Sequence, residues 1–223
     1  MKKKILIAAV VGVVALGGYF AYQNYVNKQQ LAKADASNLV TNKVVQTPTT
    51  VPTGPMRNFK LTSKDSPVKW TGYKKVGRHS GWFIIFEGTG AMSGHDLTTA
   101  KIDLTIDTES TETDDPTGVL TAVMKKADFF NCEKFPQSTF KSVSIAKTDK
   151  PDIYTVTGDL QLRDVTKTIA FPATITEKDG VVKLTADFKV NRKWWGIVWK
   201  GAGDSVLEDD ARIELNAEAT EVK

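Results

Sequence analysis

Tyr154-Thr-Val-Thr-Gly-Asp-Leu-Gln-Leu-Arg163 decides the fold: Tyr154, Val156, Gly158, Leu160 and Leu162 alternate with polar or charged residues. A side-chain period of two is that of a strand with one face buried and the other in water. The same alternation recurs on both sides. Ile169, Phe171, Ala173 and Ile175 form one such series, and Val182, Leu184, Ala186, Phe188 and Val190 form the next. Ala211 through Ala219 repeats it near the end, and Ile102, Leu104 and Ile106 show it earlier. Because one face of each strand is polar, the sheet is antiparallel.

Val68–Lys75, His79–Thr89 and Thr139–Ala146 bring the count to about eight strands, with turn signals such as Lys178-Asp-Gly180 between them. One helix is expected from Ala122 to Phe130, stopped before Pro136. Closing eight strands into a barrel removes the exposed edges of an open sheet. The expected fold is therefore all-β, an eight-stranded antiparallel barrel with one short helix over residues 57–223. A two-sheet sandwich is the alternative. Gly72, Gly158, Ala173, Ala186 and Ala217 fall on the apolar face. They either let the barrel bend or leave a cavity, since eight-stranded barrels can fill with side chains or hold one small ligand.

Outward from this domain the chain changes character. Met1-Lys-Lys-Lys4 precedes seventeen residues, Ile5 to Ala21, without a charge, and the apolar run continues through aromatics to Val26. At 1.5 Å per residue this stretch can cross a hydrocarbon core of about 30 Å. Residues 1–26 read as an uncleaved signal anchor, a transmembrane helix with the lysines cytoplasmic and the barrel on the extracytoplasmic, periplasmic side. A cleaved signal is the alternative. Residues 27–56 end in Gln46-Thr-Pro-Thr-Thr-Val-Pro-Thr-Gly-Pro55 and read as a linker.

Composition narrows the function. The 223 residues carry 30 basic and 26 acidic side chains, but six Lys and one Asp lie in residues 1–56, leaving 24 against 25 and a net charge of −1 for the domain. A nucleic-acid partner is not expected. One Cys and two His offer neither a disulfide framework nor a His-rich metal site, and no hydrolase spacing is present. No cofactor, metal or enzymatic activity is expected.

Four stretches, taken together, resemble the YceI-like family. They are Trp70-Thr-Gly-Tyr-Lys-Lys-Val-Gly-Arg-His79-Ser-Gly; Asp128-Phe-Phe-Asn-Cys-Glu-Lys-Phe-Pro136 with Phe140-Lys; Val156-Thr-Gly-Asp-Leu-Gln-Leu-Arg-Asp-Val-Thr-Lys167 with Phe171-Pro; and Asn191-Arg-Lys-Trp-Trp-Gly-Ile197. The resemblance implies a lipocalin-like barrel whose elongated apolar pocket binds a polyisoprenoid. An isoprenoid lipid or quinone is then the expected partner, with the membrane reached through the N-terminal helix; a homodimer is left open. Asp164, Asn191 and Ala122-Val123 stand where the family usually has Gly, Asp and, in a related subgroup, Gly-His. These departures bear on headgroup contacts rather than on the fold.

The expected ligand-binding residues are Trp70, His79, Trp82, Phe129, Phe130, Phe140, Gly158, Leu160, Phe171, Phe188 and Trp195. Each also has a plainer reading: His79 as a turn residue bonded to the backbone, Phe129 and Phe130 as core, the tryptophans as staples of the last strands. Trp82 to Phe86 is apolar on both faces, one for the interior and one for the helix, a partner or a bilayer. Cys132 reads as buried and inert. A filled barrel acting as an interaction module is the rival to lipid binding.

Overall fold

Eleven strand segments make one antiparallel sheet in the computed structural model, which describes residues 54–62, 68–200 and 203–222. The expected transmembrane helix and all but the last three residues of the linker lie outside the described residues. No helix among the described residues is long and apolar enough to cross a membrane.

The segments are β1 (Met56–Thr62), β2 (Val68–Lys74), β3 (Arg78–Phe83), β4 (Phe86–Ser93), β5 (Asp96–Asp107), β6 (Thr111–Thr113), β7 (Gln137–Lys147), β8 (Ile153–Leu162), β9 (Val165–Lys178), β10 (Val181–Asn191) and β11 (Leu207–Val222). They form eight ribbons, because three ribbons are interrupted. β11 pairs through its first half with β2 and through its second half with β1, so β1 and β2 lie in line. β3 pairs with β2 and β4 with β1; β6 then pairs with β3 and β5 with β4. From β5 the ladder runs through β7, β8, β9 and β10 back to β11, closing the barrel.

Local chemistry fixes these joins. The β9–β10 turn has positive φ at both Asp179 and Gly180, the conformation that a two-residue hairpin with native twist demands. The apolar run after Trp82 is interrupted rather than two-faced: Phe83 and Phe86 are both buried, while Ile84 and Ile85 are exposed. A continuous strand would put residues three apart on opposite faces, so the break resets the phase. It is held by the neighbouring break: Ile85 N donates to Ser110 Oγ (3.0 Å), and Asp107 N donates to Ile85 O (2.9 Å).

α1 spans Val119–Met124, starting three residues earlier and ending well before the expected Phe130. Its start is set by Asp115, whose carboxylate accepts from the backbone of Leu120 and from the amide and hydroxyl of Thr117, which holds its pKa below the carboxylate range. After Met124 the chain passes into turns in which Phe130 N donates to Met124 O (3.0 Å). A continuing helix would separate adjacent residues by about 100° around its axis; the turns bring both Phe129 and Phe130 inside.

The expected set lacks β1 and the three-residue β6. Phe59 and Leu61 point inward and join Met92 and Ala219 in a small apolar cluster where the chain enters the barrel. At this same end Arg57 binds both Glu221 oxygens (2.9 and 2.6 Å) and Glu177 Oε1 (3.1 Å). His95 Nδ1 joins this cluster, 2.7 Å from Glu177 Oε2 and 3.0 Å from Arg57 Nη1.

Candidate functional site: an apolar cavity along the barrel

The interior holds a cavity of about 360 Å³, within the range of small-molecule sites. Its walls run from Phe59 and Met92 at the chain-entering end, past Phe140, Phe171 and Phe188 in the middle, to Trp70, Phe83 and Phe130 beneath α1. Ile102, Leu104, Leu184, Ile213 and Leu215 line it and remain only partly buried. They face open interior space. The barrel is therefore not filled.

The aromatic framework is packed rather than loose. Phe171 stacks on Phe188 with centroids 4.2 Å apart, and Phe140 tilts against Phe171 at 5.8 Å. Below α1, Phe130 meets Phe83 at 5.0 Å and Trp70 at 5.9 Å, both edge to face. Trp195 is almost wholly buried and donates its indole N–H to Leu160 O (3.2 Å), tying the loop after β10 to β8.

Nine of the eleven sequence-expected residues line this cavity: Trp70, His79, Phe129, Phe130, Phe140, Leu160, Phe171, Phe188 and Trp195. Trp82 and Gly158 do not. Trp82 falls on the opposite face of β3 from the lining residue Phe83, opposite Lys69 and Glu112 in register. Gly158 points inward but lies beneath Phe140: a Cβ there would sit 2.3 Å from Phe140 Cζ and 2.6 Å from Lys141 O. Of the five small residues on the apolar face, Gly72 and Ala217 border the cavity and Gly158, Ala173 and Ala186 do not, so the reading that these three leave the space is corrected. Gly81 likewise lies under Trp70, its direct cross-strand partner. Gly72 is different. It lines the cavity, and a Cβ added to it would meet nothing within 4 Å.

Polar groups gather at the α1 end. Lys74, His79, Glu208 and Asp210 border the cavity beside Gly72, where β11 bulges between Leu207 and Ala211 against β2. His79 belongs to β3 rather than to a turn, and its Nδ1 lies 3.2 Å from Asp114 Oδ1, whose other oxygen accepts from Ser80 N (2.9 Å). The buried guanidinium of Arg192 holds the loop that follows β10: it donates to Glu208 O (3.0 Å) and Ile197 O (2.6 Å) and pairs with Asp204 (2.7 Å). Asn191 caps this turn by accepting from Lys193 N (3.0 Å), so it is committed to the backbone.

Cys132 is buried, with Sγ 3.3 Å from Thr108 O, and burial pushes its thiol pKa up. No cluster of His, Cys, Asp and Glu suited to a metal exists among the described residues. Sequence reading missed Phe59, Met92 and Ile106 as wall residues. Alternation at Phe59 and Leu61 was the available signal for the first of these.

A closed eight-stranded antiparallel barrel with an apolar lumen and polar groups at one end defines a lipocalin-like barrel. Residues 59–219 match the family model described as the YceI-like domain, and the chain belongs to the YceI-like family. Among curated relatives, protein YceI of Escherichia coli O17:K52:H18 is 37% identical over 93 residues, and that of Salmonella arizonae 34% over a stretch of the same length. The match covers 42% of this chain and about half (47%) of each relative. Among solved structures, Burkholderia cenocepacia BcnA superposes with a TM-score of 0.64 at 21% identity, covering 71% of this chain and 98% of that one. A polyisoprenoid binding domain from Saccharophagus degradans superposes with 0.58 at 13% identity, covering 73% and 97%. At these identities the likeness is one of fold.

Proposed function

We propose that this barrel holds a long-chain isoprenoid, a quinone or polyprenyl lipid, on the extracytoplasmic side of a membrane to which residues 1–26 anchor it. The observation that carries this reading is the continuous apolar lumen between Phe59 and Phe130. Burying apolar surface contributes about 25 cal/mol per Å², so several isoprene units supply affinity with few polar contacts. The Saccharophagus domain of the same fold, described as polyisoprenoid binding, supports the ligand class. The chain performs no chemistry on its ligand in this reading; it shields it from water.

Organic extraction of the purified full chain followed by mass spectrometry is expected to yield an isoprenoid. Gly72→Leu projects into the empty lumen and is expected to lower the amount retained without loss of fold. An empty extract, together with no uptake of an added octaprenyl quinone, would refute the proposal.

A further inference from the structure

We propose that the α1 end of the barrel docks on a lipid bilayer, so that ligand passes between lumen and membrane without crossing water. The inference rests on the lipid-binding reading above and adds a surface and a partner to it.

Five large apolar side chains are exposed at this end: Val76, Val119, Val198, Trp199 and Val206. They come from three separate segments. The β2–β3 turn and the loop before β11 are joined by Lys75 N donating to Val206 O (3.0 Å). That loop is joined to the segment after α1 by Lys200 N on Asp128 (3.2 Å) and by the Trp199–Phe129 ring contact at 6.4 Å. Trp199 is both exposed and a lining residue, so the rim continues into the lumen wall. An indole among aliphatic groups is the composition that suits the membrane–water interface.

The rim is not an electrostatic surface. Its charges are of both signs: Arg192 and Lys193 pair with Asp204 and Asp209, and Lys74 borders the lumen alongside Glu208 and Asp210. Adhesion would therefore be apolar and persist in salt.

The length of chain outside the structure permits this orientation. The chain enters the barrel at the opposite end, where Gly94 N donates to Pro55 O (2.9 Å). Residues 27–53 precede that point. At about 3.3 Å per residue they reach at most roughly 90 Å. β11, the longest strand, has 16 residues and so spans at most about 53 Å at the same rise. A barrel tethered at one end can thus turn its other end to the same membrane.

The test places an environment-sensitive label on the full chain reconstituted into vesicles of phosphatidylethanolamine and phosphatidylglycerol. Val76→Cys reports the rim, and Lys150→Cys, in the turn between β7 and β8, reports the far end; Cys132, being buried, stays in place. Lipid-borne quencher is expected to quench the label at 76 several-fold more than that at 150, in low and high salt alike. Val76→Asp with Val206→Asp is expected to slow transfer of an octaprenyl quinone to acceptor vesicles while leaving the amount held at equilibrium unchanged. Equal quenching at both positions, quenching lost in high salt, or transfer unaffected by the aspartates would overturn the docking proposal. Selective quenching at 76 in a chain that holds no isoprenoid would uphold docking and defeat the lipid-carrying reading alone.

Discussion

Gly158→Ala removes no contact and adds one methyl group, yet the geometry expects it to be damaging. The new Cβ lands 2.3 Å from Phe140 Cζ and 2.6 Å from Lys141 O. The Phe140 ring borders the lumen and has room to swing, but the Lys141 carbonyl is backbone of the adjacent strand and has none. Relief therefore needs β7 and β8 to separate by a fraction of an ångström to an ångström. Overpacking of this kind costs about 1–3 kcal/mol. For a domain of this size each kcal/mol lowers Tm by roughly 2–4 °C, so the expected fall is about 2–12 °C. Gly72→Ala is the internal comparison: its methyl enters open lumen, and Ala restricts the unfolded chain more than Gly does, worth about 0.4–1 kcal/mol in favour of folding. Thermal melts of the detergent-solubilised chain, followed by circular dichroism, measure both. The reasoning fails if Gly158→Ala melts within a degree of the parent, or if Gly72→Ala is the more damaging of the two.

Two other outcomes follow from the polar framework. Arg192→Gln should lower stability by roughly 2–3 kcal/mol, read as a shift in urea midpoint, because it removes charge-assisted hydrogen bonds to two buried-loop carbonyls and to Asp204. Glu177 is held below the ordinary glutamate range by the His95 hydrogen bond first and by Arg57 next; a carboxylate depressed on folding contributes stability that is complete above its unfolded pKa and lost as pH falls through its folded one. Glu177→Gln should accordingly flatten the acid limb of a stability–pH curve below about pH 5, and an unchanged limb would contradict the assignment.

The strands from β8 to β11 were legible because each is long enough for alternation to repeat four or five times, with turn residues between most of them. β1 was not, since seven residues after a Thr/Pro stretch show only Phe59 and Leu61 as an inward pair. The Trp82–Phe86 run was ambiguous for a different reason: a reset of phase at Ile84 and Ile85 leaves the same letters as a two-faced strand. The glycines show the limit most clearly. Gly72 and Gly158 occupy equivalent places in alternating strands, but one opens on the lumen and the other lies under Phe140. The difference resides in the residue across the ladder, and pairing register is invisible along a single strand. His79 was legible as a polar residue near the lumen, whereas its partner Asp114 lies 35 positions away and became evident only in the fold.

The interruptions have a common consequence. All fall in adjacent ribbons, β1/β2, β3/β4 and β5/β6, while β7 to β11 run unbroken. β6 pairs with β3 over three residues and, among the described residues, with no strand on its other side, so at the α1 end the ladder is open beyond β6. The α1 segment fills that opening by side chains rather than by strand pairing. Thr113 and Thr121 hydroxyls meet at 2.8 Å, and Thr108 bonds Phe135 O (2.7 Å) and Pro136 O (2.9 Å) while its own carbonyl receives Cys132 Sγ. Phe129 and Phe130 then close the lumen from within. Separating two paired strands would forfeit a run of ladder hydrogen bonds at once; lifting the α1 segment breaks a few contacts and exposes an apolar wall. Local opening draws on elements of low stability, and the α1 segment, held outside the strand ladder, borders both the lumen and the rim that carries the exposed valines and Trp199.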